Sequence, residues 1–293
     1  MANDAAMISG KFWALLMGLL ILPCSLVILA QDPPAKPEIP GEVEQANVLG
    51  ELQKTLIEAA GGKEVLEKHS NRRVIAKILI PDAAIEATHT GYMSREGMMW
   101  ESMTIEGYGD FRQGFHGDVA WTLDPINGAR VLSGAEKVQL RKASHLQPFL
   151  WIDKDYISAV KVGTEKVGDA DCTVYSLKTT MGGDEKFWVS DETKFLVKMA
   201  LTLESIMGKI PMTVQMSDFR QVEELWHPYE MQIQQGIQKM QMTLEQVNYD
   251  VEPEVVEKTI PAPVQALLDR KKAKEAEEAG EKKEVQEEGT SGR

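Results

Sequence analysis

Apolar and polar residues recur with two different periods along this chain, and the change of period divides it. From Val43 to Ala60 the apolar positions Val48, Leu49, Leu52, Leu56, Ile57 and Ala60 are spaced three and four apart. That spacing predicts an amphipathic helix, stopped by Gly61-Gly62. A second short helix, Lys63 to His69, presents Val65 and Leu66. Beyond Asn71 the period falls to two. Phe195, Val197, Met199, Leu201 and Leu203 alternate with Leu196, Lys198, Ala200, Thr202 and Glu204. Ile210, Met212, Val214 and Met216 alternate with Pro211, Thr213, Gln215 and Ser217, and Met231 and Ile233 with Glu230, Gln232 and Gln234. Met240, Met242 and Leu244 alternate with Lys239, Gln241 and Thr243. This pattern predicts strands with one apolar and one wet face. Turn signals at Pro125-Ile126-Asn127-Gly128, Met181-Gly182-Gly183-Asp184, Met207-Gly208-Lys209 and Gln235-Gly236 separate them. About ten or eleven strands follow at meander spacing. One interruption, Ser133 to His145, suits a helix.

A sheet of that length twists and curls, and its apolar face needs a cover. The predicted class is α+β, mostly β: a half-open, strongly curved antiparallel β-barrel with helices covering the mouth. Composition agrees, with 43% hydrophobic and 26% charged residues. The 32 Lys+Arg stand against 45 Asp+Glu, a net charge of −13. Most of it falls within residues 41–268, so a nucleic-acid partner is not expected.

The ends differ from the body. Residues 1–30 contain an apolar run, Phe12 to Ala30, preceded by Lys11. It reads as a signal peptide or an N-terminal membrane anchor, with lipid attachment at Cys24 as a third reading. Membrane association would run through this segment. Residues 31–43 form a linker holding Pro33, Pro34, Pro37 and Pro40. The body spans 44–263, and 264–293 is a charged tail, helical or disordered.

Catalytic motifs are missing: there is no GxSxG, HExxH, Walker loop or strand-following GxGxxG. The five histidines lie in separate segments. His116-Gly117-Asp118 reads as a hairpin turn, Glu223-Glu224 as loop charges, and Cys172 as a buried inert thiol. Trp100, Trp121, Trp151, Trp188 and Trp226 read as packing anchors, some of which could instead line a cavity rim. Methionine is the unusual element, with 15 in the chain. Met199, Met212, Met216, Met240 and Met242 fall on apolar strand faces, joined by Met231, Val214 and Ile233. Flexible, polarizable methionine suits an adaptable apolar surface, and these eight residues are the expected lining for an acyl chain. Ordinary core filling is the plainer reading. The Met240-Gln241-Met242 pair suggests copper only weakly, since no histidine adjoins it. No cofactor or metal is expected.

The order of features carries a family resemblance. An amphipathic helix ends in Ala59-Ala60-Gly61-Gly62-Lys63. Strands follow, with a hairpin holding Gly117 and Trp121 before Asp124-Pro125. Asp218-Phe219-Arg220-Gln221-Val222 and His227-Pro228 come late, and Pro261-Ala262-Pro263 closes the series. Over about residues 44–263 this resembles the LolA/LolB-type outer-membrane lipoprotein-sorting superfamily, in its uncharacterised exported branch. The resemblance implies a half-open barrel whose cavity holds lipid or lipoprotein acyl chains, a periplasmic or other extracytoplasmic location, and no enzymatic activity. The alternative is a membrane-tethered envelope scaffold with a filled core that binds a protein partner.

Overall fold

Thirteen strands, more than the ten or eleven expected, form one sheet in the computed structural model, which describes residues 42–205 and 208–290. The predicted signal or anchor segment, linker residues 31–41 with all four prolines, and Met207 lie outside the described residues; the last two linker residues, Glu42 and Val43, open the first helix. Helix α1 (Glu42–Ala60) and the short α2 (Lys63–Leu66) precede the sheet. Strands β1 (Asn71–Ile80), β2 (Ile85–Ser94), β3 (Met99–Ile105), β4 (Gly109–His116), β5 (Val119–Asp124) and β6 (Gly128–Val131) step outward to one edge. A connector then carries α3 (Gly134–Ala143) and α4 (Ile152–Asp155) to the opposite edge. From there β7 (Tyr156–Val167), β8 (Ala170–Thr179), β9 (Asp184–Ser190), β10 (Leu196–Ser205), β11 (Gly208–Val222), β12 (Leu225–Gln235) and β13 (Gln238–Tyr249) return to pair with β1. Every pairing is antiparallel, and the edges β6 and β7 do not pair, so the curved sheet stays open.

The extra strands come from segments where alternation is weak. Strand β6 is four residues long. Strand β3 is buried on both faces. Its inner residues Met99, Met103 and Ile105 pack in the clusters on the inner face of the sheet. Outside, Trp100 and Trp121 are covered by Ile260 and Val264 from the C-terminal segment. That segment holds α5 (Val255–Lys258) and α6 (Ala262–Thr290). It is pinned by Arg73, whose guanidinium donates to both oxygens of Glu257 at 2.7 and 2.6 Å. His116 Nε2 lies 2.7 Å from the Glu257 carbonyl.

One predicted phase is corrected. A bulge between Leu196 and Lys198 shifts the register of β10 against β9. Leu196 therefore joins the inner cluster, while Val197 packs on the outer side with Trp188 and Ala200. A bulged strand carries one extra residue, which flips the face of what precedes it. From Met199 onward the expected phase holds.

Helix α1 buries Leu49, Leu52 and Leu56 against Tyr175, Leu177, Phe187 and Val189. Its end is capped by Gly61 and Gly62, whose amides donate to Glu58 and Ile57 carbonyls. A Cβ at Gly61 would sit 2.6 Å from the Glu224 carbonyl, so only glycine lets the β11–β12 turn touch the helix end. Helix α3 bridges the opening. On one side Arg130 pairs with Glu136 at 2.9 Å and Lys137 with Asp118 at 2.6 Å. On the other, the Gln139 amide bonds Thr202 O and Glu204 N at 3.0 Å each, occupying the part of β10 that β9 leaves unpaired. Lys142 reaches Glu185 at 2.9 Å and the Tyr156 hydroxyl at 2.8 Å.

Candidate functional site

The eight expected lining residues lie on one face of β10–β13, and strand register sets them in rows. Met216, Met231 and Met242 are cross-strand neighbours, and Ile78 of β1 continues that row. Met199, Val214, Ile233 and Met240 form a second row. Met212 lies between Leu201 and Gln235 in a third. Met212, Val214, Ile233, Met240 and Met242 are buried, and Met199, Met216 and Met231 are half-buried against the same cluster. Period-two geometry brings this about: side chains two apart share a face, and unshifted register aligns them between strands. Cavities border Met216, Ile233 and Met240 among the eight. A slot of about 60 Å³ between α1 and the sheet borders Met216. A groove of about 540 Å³ among outward-facing Gln215, Gln232 and Gln241 borders Ile233 and Met240. The third row ends in Gln235 and Gln238, both buried, whose amide groups include unpartnered atoms.

A wide cleft of about 1050 Å³ opens at one rim, between α2, the β2–β3 turn and the α3–α4 connector. Leu66, Phe115, Leu146 and Leu150 give it apolar walls, and Arg95, Arg141, Asp153 and Asp155 ring it with charge. Trp151 is 42% exposed there, its ring stacked on His145 at 4.3 Å. Of the five tryptophans, Trp100, Trp121 and Trp188 are buried, while Trp151 and Trp226 are exposed and border the cleft and the slot, the cavity-rim alternative. Phe115 points to the inner face, packed with Met99, Ala120 and Leu140.

Next to Phe115 on that face lies a group the alternation pattern did not reveal. Glu101, Gln113 and Thr122 are cross-strand neighbours on β3, β4 and β5, all buried. Gln113 Nε2 donates to Glu101 Oε2 at 2.7 Å. His89 Nε2 stands 3.9 Å from Glu101 Oε1. Burial pushes the Glu101 carboxyl up to about 8, against weaker lowering by the Gln113 hydrogen bond and Arg72. Burial brings His89 down to about 4. At neutral pH both groups are uncharged, so their approach is not an ion pair. Gly91 makes room for them: a Cβ there would lie 3.2 Å from His89 Cε1 and 3.7 Å from Glu101 Cγ. His89 Nδ1, Gln113 Oε1 and Thr122 Oγ1 have no hydrogen-bond partner. The signal in the sequence was a lone carboxylate inside Met98-Met99-Trp100-Glu101-Ser102-Met103.

A second polar group is more closely knit, with His69 Nε2 its unpartnered atom. Asp250 accepts from Ser70 N and lies 2.7 Å from His69 Nδ1, which holds its carboxyl down at about 2. His69 stacks on Tyr249, whose hydroxyl lies 2.8 Å from His227 Nε2. Burial, then Arg72, lowers His227 to about 3. Cys172 is fully buried and its thiol is pushed up by burial, the opposite of an activated nucleophile. Among the described residues no cluster of three or more His, Cys, Asp or Glu could hold a metal, and no helix is long and apolar enough to cross a membrane.

No family model matches the chain, and no curated protein matches it. Solved structures do. A DUF1329 family protein from Desulfovibrio piger superposes with a TM-score of 0.52 at 11% identity, covering 73% of this chain and 98% of that one. A LolA superfamily protein from Nitrosomonas europaea gives 0.49 at 13% identity, covering 70% and 94%. The superposition on the Desulfovibrio piger protein is a likeness of fold.

Proposed function

We propose that this protein is an exported, non-enzymatic carrier that holds a lipid or lipoprotein acyl chain against the methionine rows of β10–β13. The observation that carries the reading is the continuity of those rows: Met216, Met231, Met242 and Ile78 align across four strands with no polar residue between them. Each methylene moved from water to an apolar surface gains about 0.8 kcal/mol, so a 16-carbon chain has roughly 12 kcal/mol at stake. Release into water is prohibitive, and transfer to another dry cavity is nearly neutral. Methionine side chains can reshape around such a guest at small cost. The acidic body would limit adhesion to anionic membranes. Native mass spectrometry of the protein gently extracted from its membrane fraction tests the reading. Co-purified lipid is expected. A clean apo mass, together with failure to take up a fluorescent fatty-acyl probe, would refute it.

The second reading, a membrane-tethered envelope scaffold with a filled core, is favoured by the burial of five of the eight residues in one cluster. It predicts the clean apo mass with a stoichiometric protein partner.

A further inference from the structure

The inner face of β3–β5 carries buried polar atoms without partners close to the rim cleft, a feature that hydrocarbon binding does not use; the methionine rows show it too, at the Gln235–Gln238 end of the third row. Gln113 is fully buried, Thr122 and His89 nearly so, and each leaves an atom unpaired. Leaving such a group dry and unbonded is costly, so a cluster of them on neighbouring strands calls for a partner. Their position supplies the second observation. On β4 the inward residues are Phe111, Gln113 and Phe115, and Phe115 lines the 1050 Å³ cleft at the rim. Gln113 is therefore one pleat repeat, roughly 7 Å, inward from the cleft wall.

We infer that Glu101, Gln113 and Thr122 form a hydrogen-bonding shelf for the uncharged, donor-bearing head of an amphiphilic guest, a hydroxyl or an amide. This rests on the carrier reading and narrows it. The chemistry selects the class. Gln113 Oε1 can only accept, and Thr122 Oγ1 and His89 Nδ1 can accept. A carboxylate or phosphate could accept from the Thr122 hydroxyl but brings no donor, and would leave Gln113 Oε1 unmet. A hydroxyl or amide brings the donor they lack. Arg72, the half-buried cation on the same face with its Nη2 3.7 Å from Met93 Sδ, is the group that would instead favour an anion.

The experiment uses the full chain and displacement of a fluorescent fatty-acyl probe by three competitors of equal chain length: 1-monopalmitoylglycerol, methyl palmitate and palmitate. The first should bind about tenfold more tightly than the methyl ester, the size expected when one buried acceptor is satisfied or left bare. Gln113→Leu, and separately the near-isosteric Thr122→Val, should each shrink that ratio toward one while methyl ester binding holds. Thr122→Val guards against a folding failure at Gln113. A ratio near one in the unaltered protein, a ratio that neither variant changes, or palmitate as the tightest ligand would each overturn the inference. If the methyl ester competes and only the ratio fails, the shelf alone is wrong. If none of the three competes, the carrier reading falls with it.

Discussion

The two halves of the inner face share one pleat and one register rule yet differ in content. Across β10–β13 the cross-strand rows run Met, Val, Ile, Met, and their members pack on one another. Across β3–β5 a row runs Glu, Gln, Thr, with polar atoms facing inward. The first half gains stability from area and shape, which tolerate rearrangement. The second depends on hydrogen bonds, which do not. On the carrier reading, the adaptable wall would accept varied tails and the exacting wall would discriminate among heads.

Four measurements would break or sharpen this contrast. Leu201 is fully buried beside Met212. Leu201→Ala should cost about 3 kcal/mol in denaturant unfolding; a loss under about 1 kcal/mol would mean that space already exists there. The polar half should show itself through pH. The folded pKa of Glu101, about 8, exceeds its ordinary 4.5, so the folded state holds an extra proton between these values. That contribution to stability is full below about 4.5 and is lost as pH rises through 8. His89 runs the other way, losing stability as pH falls from 6.5 toward 4. Glu101→Gln should remove only the first trend. The melting temperature of the variant relative to the parent should climb steadily from pH 5 to pH 8, and a pH-independent difference would contradict a buried neutral acid. Met212→Leu, a volume-conserving change on the adaptable wall, should cost less than about 1.5 kcal/mol by the same unfolding assay. A larger penalty would make that wall as exacting as the other. The smallest effect belongs outside both walls. Lys274 and Glu278 form an exposed pair at 3.9 Å on α6. Lys274→Ala should change the unfolding midpoint by no more than about 0.5 kcal/mol.

The same contrast explains what could be read from the chain. The methionine half was legible because one face of β11–β13 is wet: Thr213, Gln215, Gln232, Gln234 and Gln241 mark the outward positions and expose the period. The polar half was not, because β3 is covered on both sides and its string Met99-Trp100-Glu101-Ser102-Met103 has no exposed residue to set the phase. Leu196 and Val197 were assigned to the wrong faces because a bulge leaves no mark in a hydrophobic run. Helix α3 was placed from composition alone, but its role as a bridge rests on Gln139 and Lys142 meeting strands distant in sequence. Nothing in local patterning encodes that.

That bridge also governs geometry. The chain between Val131 and Tyr156 is the covalent tie between the two outermost strands, and the same stretch is bonded to both sides of the gap. The aperture is therefore gauged by one short piece of polypeptide. Lengthening or trimming residues 132–155 would widen or narrow the gape without altering a single strand.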